Sequence, residues 1–187
     1  MSASCDNAAP SFVPWDIEVA HINFGANCGP AAFAVATQRE VCRVMQYFPH
    51  FPERRWTNLT QMLRAFADAG YTTRVEKCAA PSRGVALVQW LGPWTAKQFF
   101  SRWSLVHTHW VGVEDDWIFD HNACRWQALG EWSAGTAAEL IAEVPRATGW
   151  RIKYGVEVTK EMQIDLGFPL EARAVNPCRR GVLSHKL

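Results

Sequence analysis

Apolar positions recur along this chain with two different periods. Leu59, Met62, Leu63 and Phe66 stand at i, i+3, i+4 and i+7, the stripe of an amphipathic helix. That spacing predicts a helix opening near Thr57 and stopping at Gly70. An earlier helix is predicted from Asn27, a good N-cap, with Pro30 tolerated in the first turn and AAFAVATQREVCRVM following. Phe33, Ala36 or Thr37, Glu40 or Val41, and Val44 form an imperfect stripe along it, as in a largely buried helix. Pro10 and Pro14 oppose regular structure upstream, so residues 1–20 read as a lead-in. The stretch from Tyr47 to Trp56 holds two prolines and reads as a loop.

After Gly70 the period shortens. YTTRV is rich in β-branched residues, and GVALVQW (84–90) is the near-continuous apolar run of a strand buried on both faces. Residues 106–113 and 117–120 form two runs split by Glu114-Asp115-Asp116, a hairpin pattern. Thr136 and Glu139 have capping-box spacing for a helix over 136–143, and WRIKYGVEV (150–158) alternates like a last strand. Beyond Thr159 no period is visible, and the chain ends among Arg179, Arg180, His185 and Lys186. Helices followed by a mostly antiparallel sheet make the expected class α+β, with one domain over 21–158 and a tail over 159–187.

Composition narrows the function classes. A chain of 187 residues suits one domain that buries roughly 70% of its extended surface, so no metal or disulfide is required for stability. Nineteen basic residues against eighteen acidic ones leave +1, which gives no footprint for nucleic acid. No apolar run approaches 18 residues, so no membrane span is expected, and the first fifteen residues lack a secretory pattern. A cytoplasmic setting is therefore expected, with Cys5, Cys28, Cys42, Cys78, Cys124 and Cys178 as free thiols. Seven of the ten tryptophans fall between Trp90 and Trp132. They are either a Trp-heavy core or the wall of a groove, for which Trp90, Trp94 and Trp110 are the candidate substrate-binding residues.

Two segments carry candidate chemistry. Asn23-Phe24-Gly25-Ala26-Asn27-Cys28-Gly29-Pro30 puts a cysteine at a helix start, where the dipole and free N–H groups favour a thiolate and an oxyanion. His107-Thr108-His109-Trp110-Val111-Gly112-Val113 and then Phe119-Asp120-His121-Asn122 supply imidazoles, a carboxylate and an amide, the partners a nucleophilic thiol needs. If the hairpin pairs Val113 with Ile118, then Val111 faces Asp120, His109 faces Asn122, and Asp120 lies diagonal to His109. A slip of one residue turns Asp120 away and brings His121 opposite His109. Both registers, and either His107 or His109 as base, stay open on these residues alone. A zinc reading from His107, His109, His121 and Cys124 is disfavoured because the downstream pair lacks the usual spacing. No Gly-rich phosphate loop and no G-x-S-x-G is present.

The order N-C-G-P-A-A at a helix start, then H-W-V-G-V, then I-F-D resembles the papain-like cysteine peptidases, in particular the bacterial branch with bacteriocin-processing peptidase domains. The resemblance runs from Asn23 to Asn122 and implies a papain-like fold, with helices on a mostly antiparallel sheet. It implies Cys28 as nucleophile, His109 as base and Asp120 as the residue that orients it, with Asn122 as the substitute. It also implies a peptide or protein substrate and no metal or organic cofactor. One position departs: where the family carries a Gln six residues before the nucleophile, this chain has Ile22, and Asn23 or His21 would have to supply the oxyanion donor. The implied activity is hydrolysis of a peptide or other amide through an acyl-thioester. The alternative is an inactive domain of this fold that binds a protein.

Overall fold

The helix that begins at Cys28 runs for only ten residues, well short of the stretch its composition suggests. A computed structural model of the chain, describing residues 8–51, 53–95 and 107–161, gives the reason. Helix α1 covers Ile17–Phe24 and α2 covers Cys28–Thr37. Gln38 then adopts a left-handed conformation (φ 52°) and its N–H returns to the Ala34 and Val35 carbonyls, which closes α2. A separate short helix α3, Val41–Val44, restarts after the break, followed by a 3₁₀ turn at Met45–Tyr47. Its first two N–H groups, of Val41 and Cys42, donate to the two oxygens of the buried Asp16 carboxylate at 2.8 Å each. Asp16 directly precedes α1, a helix that begins inside the stretch read as a lead-in. Val19 and Ile22 face solvent on α1 while Ala20 is buried, so no clean apolar stripe announces it.

Helix α4, Leu59–Asp68, follows its stripe, with Met62, Ala65 and Phe66 buried. Asn58 and Gln61 cap it reciprocally at 2.8 Å in both directions. The remaining elements are β1 Tyr71–Lys77, β2 Arg83–Leu91, β3 Thr108–Glu114, β4 Trp117–Asp120, β5 Arg125–Ala128, α5 Leu129–Ala134, α6 Thr136–Ala142 and β6 Gly149–Glu161. β5 and α5 are additions to the expected elements. The expected capping box at Thr136 is not formed: Gly135 precedes the helix, and the Thr136 hydroxyl donates to Gln127 Oε1 at 2.8 Å. The tail beyond Glu161, with Cys178 and its basic residues, lies outside the described residues, as do Cys5 and Trp103.

The strands form one six-stranded antiparallel sheet in the order β1-β6-β2-β3-β4-β5. This establishes α+β. β2 sits inside the sheet and alternates between two cores, which explains its unbroken apolar run. Val85 and Leu87 face α2 and α4, packing with Phe33, Phe66 and Trp110. Ala86 and Val88 face the other side, with Trp90, Val111, Val113 and Trp132. Trp110 and Trp90 are thus core residues, 2% and 5% exposed. The Trp110 indole N–H donates to the Thr57 carbonyl at 2.7 Å. Trp94 is half-buried against the second core and donates to the Trp90 carbonyl. No helix among the described residues is long and apolar enough to cross a membrane.

Asp16 ties α3 to the start of α1 through two N–H groups with no intrahelical acceptor. Replacing it with Ala is expected to cost about 1–3 kcal/mol, measured as the shift in urea unfolding. A shift within a few tenths of a kcal/mol would contradict this role.

Candidate active site

The site is built where α2 meets β3. Asn27 caps α2, accepting from the Gly29 N–H at 3.3 Å and donating to the Arg55 carbonyl at 2.6 Å. Gly29 lies so close to the Thr57 hydroxyl that a Cβ there would overlap it. Further along, a Cβ on Gly112 would overlap the Val35 side chain, so these glycines let the helix lie directly on loop and strand. Cys28, half-buried, is thereby held as the first residue of α2, over β3.

The hairpin adopts the register that pairs Val113 with Ile118. Glu114 also pairs with Trp117, so Asp115 and Asp116 alone make the turn. The ladder stops at Gly112↔Phe119, and the pairs expected beyond it, Val111 with Asp120 and His109 with Asn122, are absent. This early end leaves β3 without a β4 partner below Gly112, beside α2, where the Trp110 backbone lowers the Cys28 thiol. Asp120 still reaches across: His109 Nε2 donates to its Oδ2 at 2.9 Å. The imidazole is also electrostatically coupled to the Cys28 thiol. His109 is 7% exposed and its ring stacks on Trp90, with centroids 5.9 Å apart and planes 19° from parallel.

Asp120 has no exposed surface. Its Oδ2 also accepts from the Trp132 indole at 2.9 Å, and its Oδ1 accepts from Asn122 N–H at 2.9 Å and Asn122 Nδ2 at 3.1 Å. The structure therefore brings Asp120, and not Asn122, to the imidazole; Asn122 holds the carboxylate from behind. Trp132 is a site residue that sequence spacing does not reveal, because it arrives on α5. His121 is another. Its ring leans over His109 at 5.5 Å, and its Nδ1 stands 3.7 Å from Asp120 Oδ1, buried and without a hydrogen-bond partner.

The charges are coupled. Burial pushes the Cys28 thiol up, but the charge and hydrogen bond of His109, with the Trp110 backbone, outweigh it and bring the thiol down. Burial likewise pulls His109 down, yet the Cys28 thiolate and then the Asp120 hydrogen bond raise it to about 10. Asp120, opposed by burial, is lowered to about 2 by the His109 hydrogen bond and charge, with Asn122 and Trp132 assisting. His121 is lowered to about 4, first by burial and then by the charge on His109. The lowered thiol, the raised imidazole and the lowered carboxylate are coupled in one chain, with the lowered His121 imidazole at its side.

The oxyanion candidates fare differently. Asn23 lies exposed in the last turn of α1, and Ile22 is 73% exposed. His21 donates from Nδ1 to the Ala26 carbonyl at 2.9 Å. The Cys28 N–H, at the first position of α2, has no i−4 acceptor within its helix. The four-residue zinc set is not assembled: the His107 ring packs on Trp94 and the Cys124 thiol donates to the His121 carbonyl. No family model, curated protein or solved structure matches the chain.

Because Asp120 titrates lower in the folded chain than its ordinary value of 3.8, its ionisation stabilises the fold fully above about pH 4. That contribution is lost as pH falls toward 2, where the folded chain must also take up the proton. In urea unfolding, the stability advantage of the parent over Asp120→Asn is expected to shrink across this window. An advantage that stays constant from pH 5 to about pH 2 would contradict it.

Proposed function

We propose that the protein is a thiol hydrolase of papain-like arrangement, acting on a peptide or other amide bond. The observation that carries this reading is the His109–Asp120 hydrogen bond, with the imidazole electrostatically coupled to Cys28 at the start of a helix packed on the sheet. The nucleophile on a helix, the base on a strand and the carboxylate at the end of the next strand keep the order of that family. The Cys28 thiolate attacks the carbonyl carbon, forming a C–S bond, while the displaced electron pair goes to the oxygen. The Cys28 N–H at the positive end of α2 is placed to receive that oxyanion. As the C–N bond breaks, His109 Nδ1–H gives its proton to the leaving amine. His109 then takes a proton from water, which attacks the thioester carbonyl; the C–S bond breaks and the thiolate returns. Asp120, held by Trp132 and Asn122, keeps the Nε2 proton in place throughout. No step calls on a cofactor. The free state of the described cysteines supports a reducing, cytoplasmic setting.

One observation favours the second reading, an inactive domain that binds protein. The side chain that the family devotes to the oxyanion is replaced by the exposed apolar Ile22. Acyl transfer separates the two. With p-nitrophenyl acetate as acyl donor, a burst of one nitrophenolate per chain is expected, with Cys28 acetylated by mass. The burst is expected to vanish in Cys28→Ala and to slow by about 10²–10⁴ in His109→Ala. Absence of a burst, or acetylation spread over Cys42 and Cys78, would favour the binding module.

A further inference from the structure

Among the described residues, one cluster can collect a metal ion: His109, Asp120 and His121, whose donor atoms all lie within 4.8 Å of one another. We propose that these three side chains form a site for a divalent transition metal of the zinc class, bound through His109 Nε2, an Asp120 oxygen and His121 Nδ1. Two imidazoles and one carboxylate are a donor set suited to such ions, and three protein ligands leave a position for water. His109 Nε2 lies 2.9 Å from Asp120 Oδ2 and His121 Nδ1 lies 3.7 Å from Oδ1, so the carboxylate turns one oxygen to each imidazole. Ligand atoms about 2.0–2.2 Å from a metal stand up to ~4.4 Å apart, so donors that all lie within 4.8 Å need at most a small contraction to bind one ion.

Two observations separate this cluster from a chance grouping. The first is His121 itself. The proposed hydrolase does not use its ring, yet Nδ1 is buried beside the carboxylate with no hydrogen bond. A buried polar atom of this kind carries a cost that a metal would remove. The second is the outer shell. Asn122 and Trp132 already orient the carboxylate through three hydrogen bonds, the arrangement that fixes a metal-ligating carboxylate.

The chemistry gives the site a regulatory consequence, and this part alone rests on the hydrolase reading. The metal takes the place of the proton on His109 Nε2, which is released to solvent. His109 then no longer bonds directly to Asp120, and its remaining N–H is a weaker acid toward the leaving amine. Cys28 is not part of the cluster, so its sulfur is not a ligand. The metal would therefore suppress turnover reversibly while leaving the thiol open to reagents, unlike a metal that inhibits by capturing the sulfur.

Titration of the metal-free full-length protein with Co²⁺, followed by visible absorption, tests the site without any substrate. One Co²⁺ per chain is expected, with ligand-field bands, no sulfur-to-cobalt charge-transfer band, and the same spectrum in Cys28→Ala. His121→Gln is expected to weaken binding by more than the roughly 10–100-fold that loss of an outer-shell partner costs. Cys28 alkylation in that variant reports that the site is still assembled. Absence of ligand-field bands in the parent, a charge-transfer band that disappears in Cys28→Ala, or affinity unchanged in His121→Gln would each overturn the proposal. The acetyl burst of the metal-free protein reads the hydrolase proposal independently, so the two fail separately.

Discussion

A carboxylate with no access to water must be satisfied from within, and Asp120 sets the terms for everything around it. Its two oxygens accept four hydrogen bonds, from His109, Trp132 and twice from Asn122. Removing water makes each of these bonds stronger and an unpaired carboxylate costlier. This explains why α5 exists where it does. The short helix carries Trp132 under the sheet, so that its indole N–H reaches the oxygen that also receives the imidazole. It explains too why burial does not strip His109 of its proton: Cys28 on one side and Asp120 on the other both raise its affinity for it.

The second constraint is how close α2 comes to β3. Gly112 gives room for Val35, Gly29 gives room for Thr57, and the Trp110 indole fastens the Thr57 loop from the strand. The β3–β4 ladder ends at Gly112, the residue whose missing side chain lets Val35 of α2 approach the strand. The hairpin thus opens toward the helix start, and a thiol, an imidazole and a carboxylate from three elements meet there. Cys28 gains its character from this packing, since a helix start alone lowers a thiol's pKa less than a charged imidazole beside it does.

Much of this is legible in the residues. The α4 stripe and the doubly buried β2 rest on local periodicity, and the structure keeps them; the acidic turn expected over Glu114-Asp115-Asp116 shortens to Asp115-Asp116, because Glu114 pairs with Trp117. The two hairpin registers stay open on the residues alone, and only the structure selects Val113 with Ile118 and brings Asp120 to His109. What is not legible depends on long-range partners. Asp16 stabilises a helix 25 residues away, Gln38 breaks a helix whose composition favours continuation, and Trp132 serves a carboxylate from a helix with no stripe of its own. The tryptophans show the same limit: Trp90 and Trp110 have the composition of a groove wall, and only the packing of two cores on one sheet assigns them to the interior.

The account stands on Cys28 and His109 forming an ion pair, and the pH dependence of alkylation at each cysteine reads that pair directly. Iodoacetamide labelling, resolved by peptide mapping, is expected to find Cys28 reactive at about pH 6, far below the exposed Cys78, with that advantage lost in His109→Ala. A Cys28 profile that follows Cys78 at every pH, or one that His109→Ala leaves unchanged, would contradict the ion pair and the mechanism built on it.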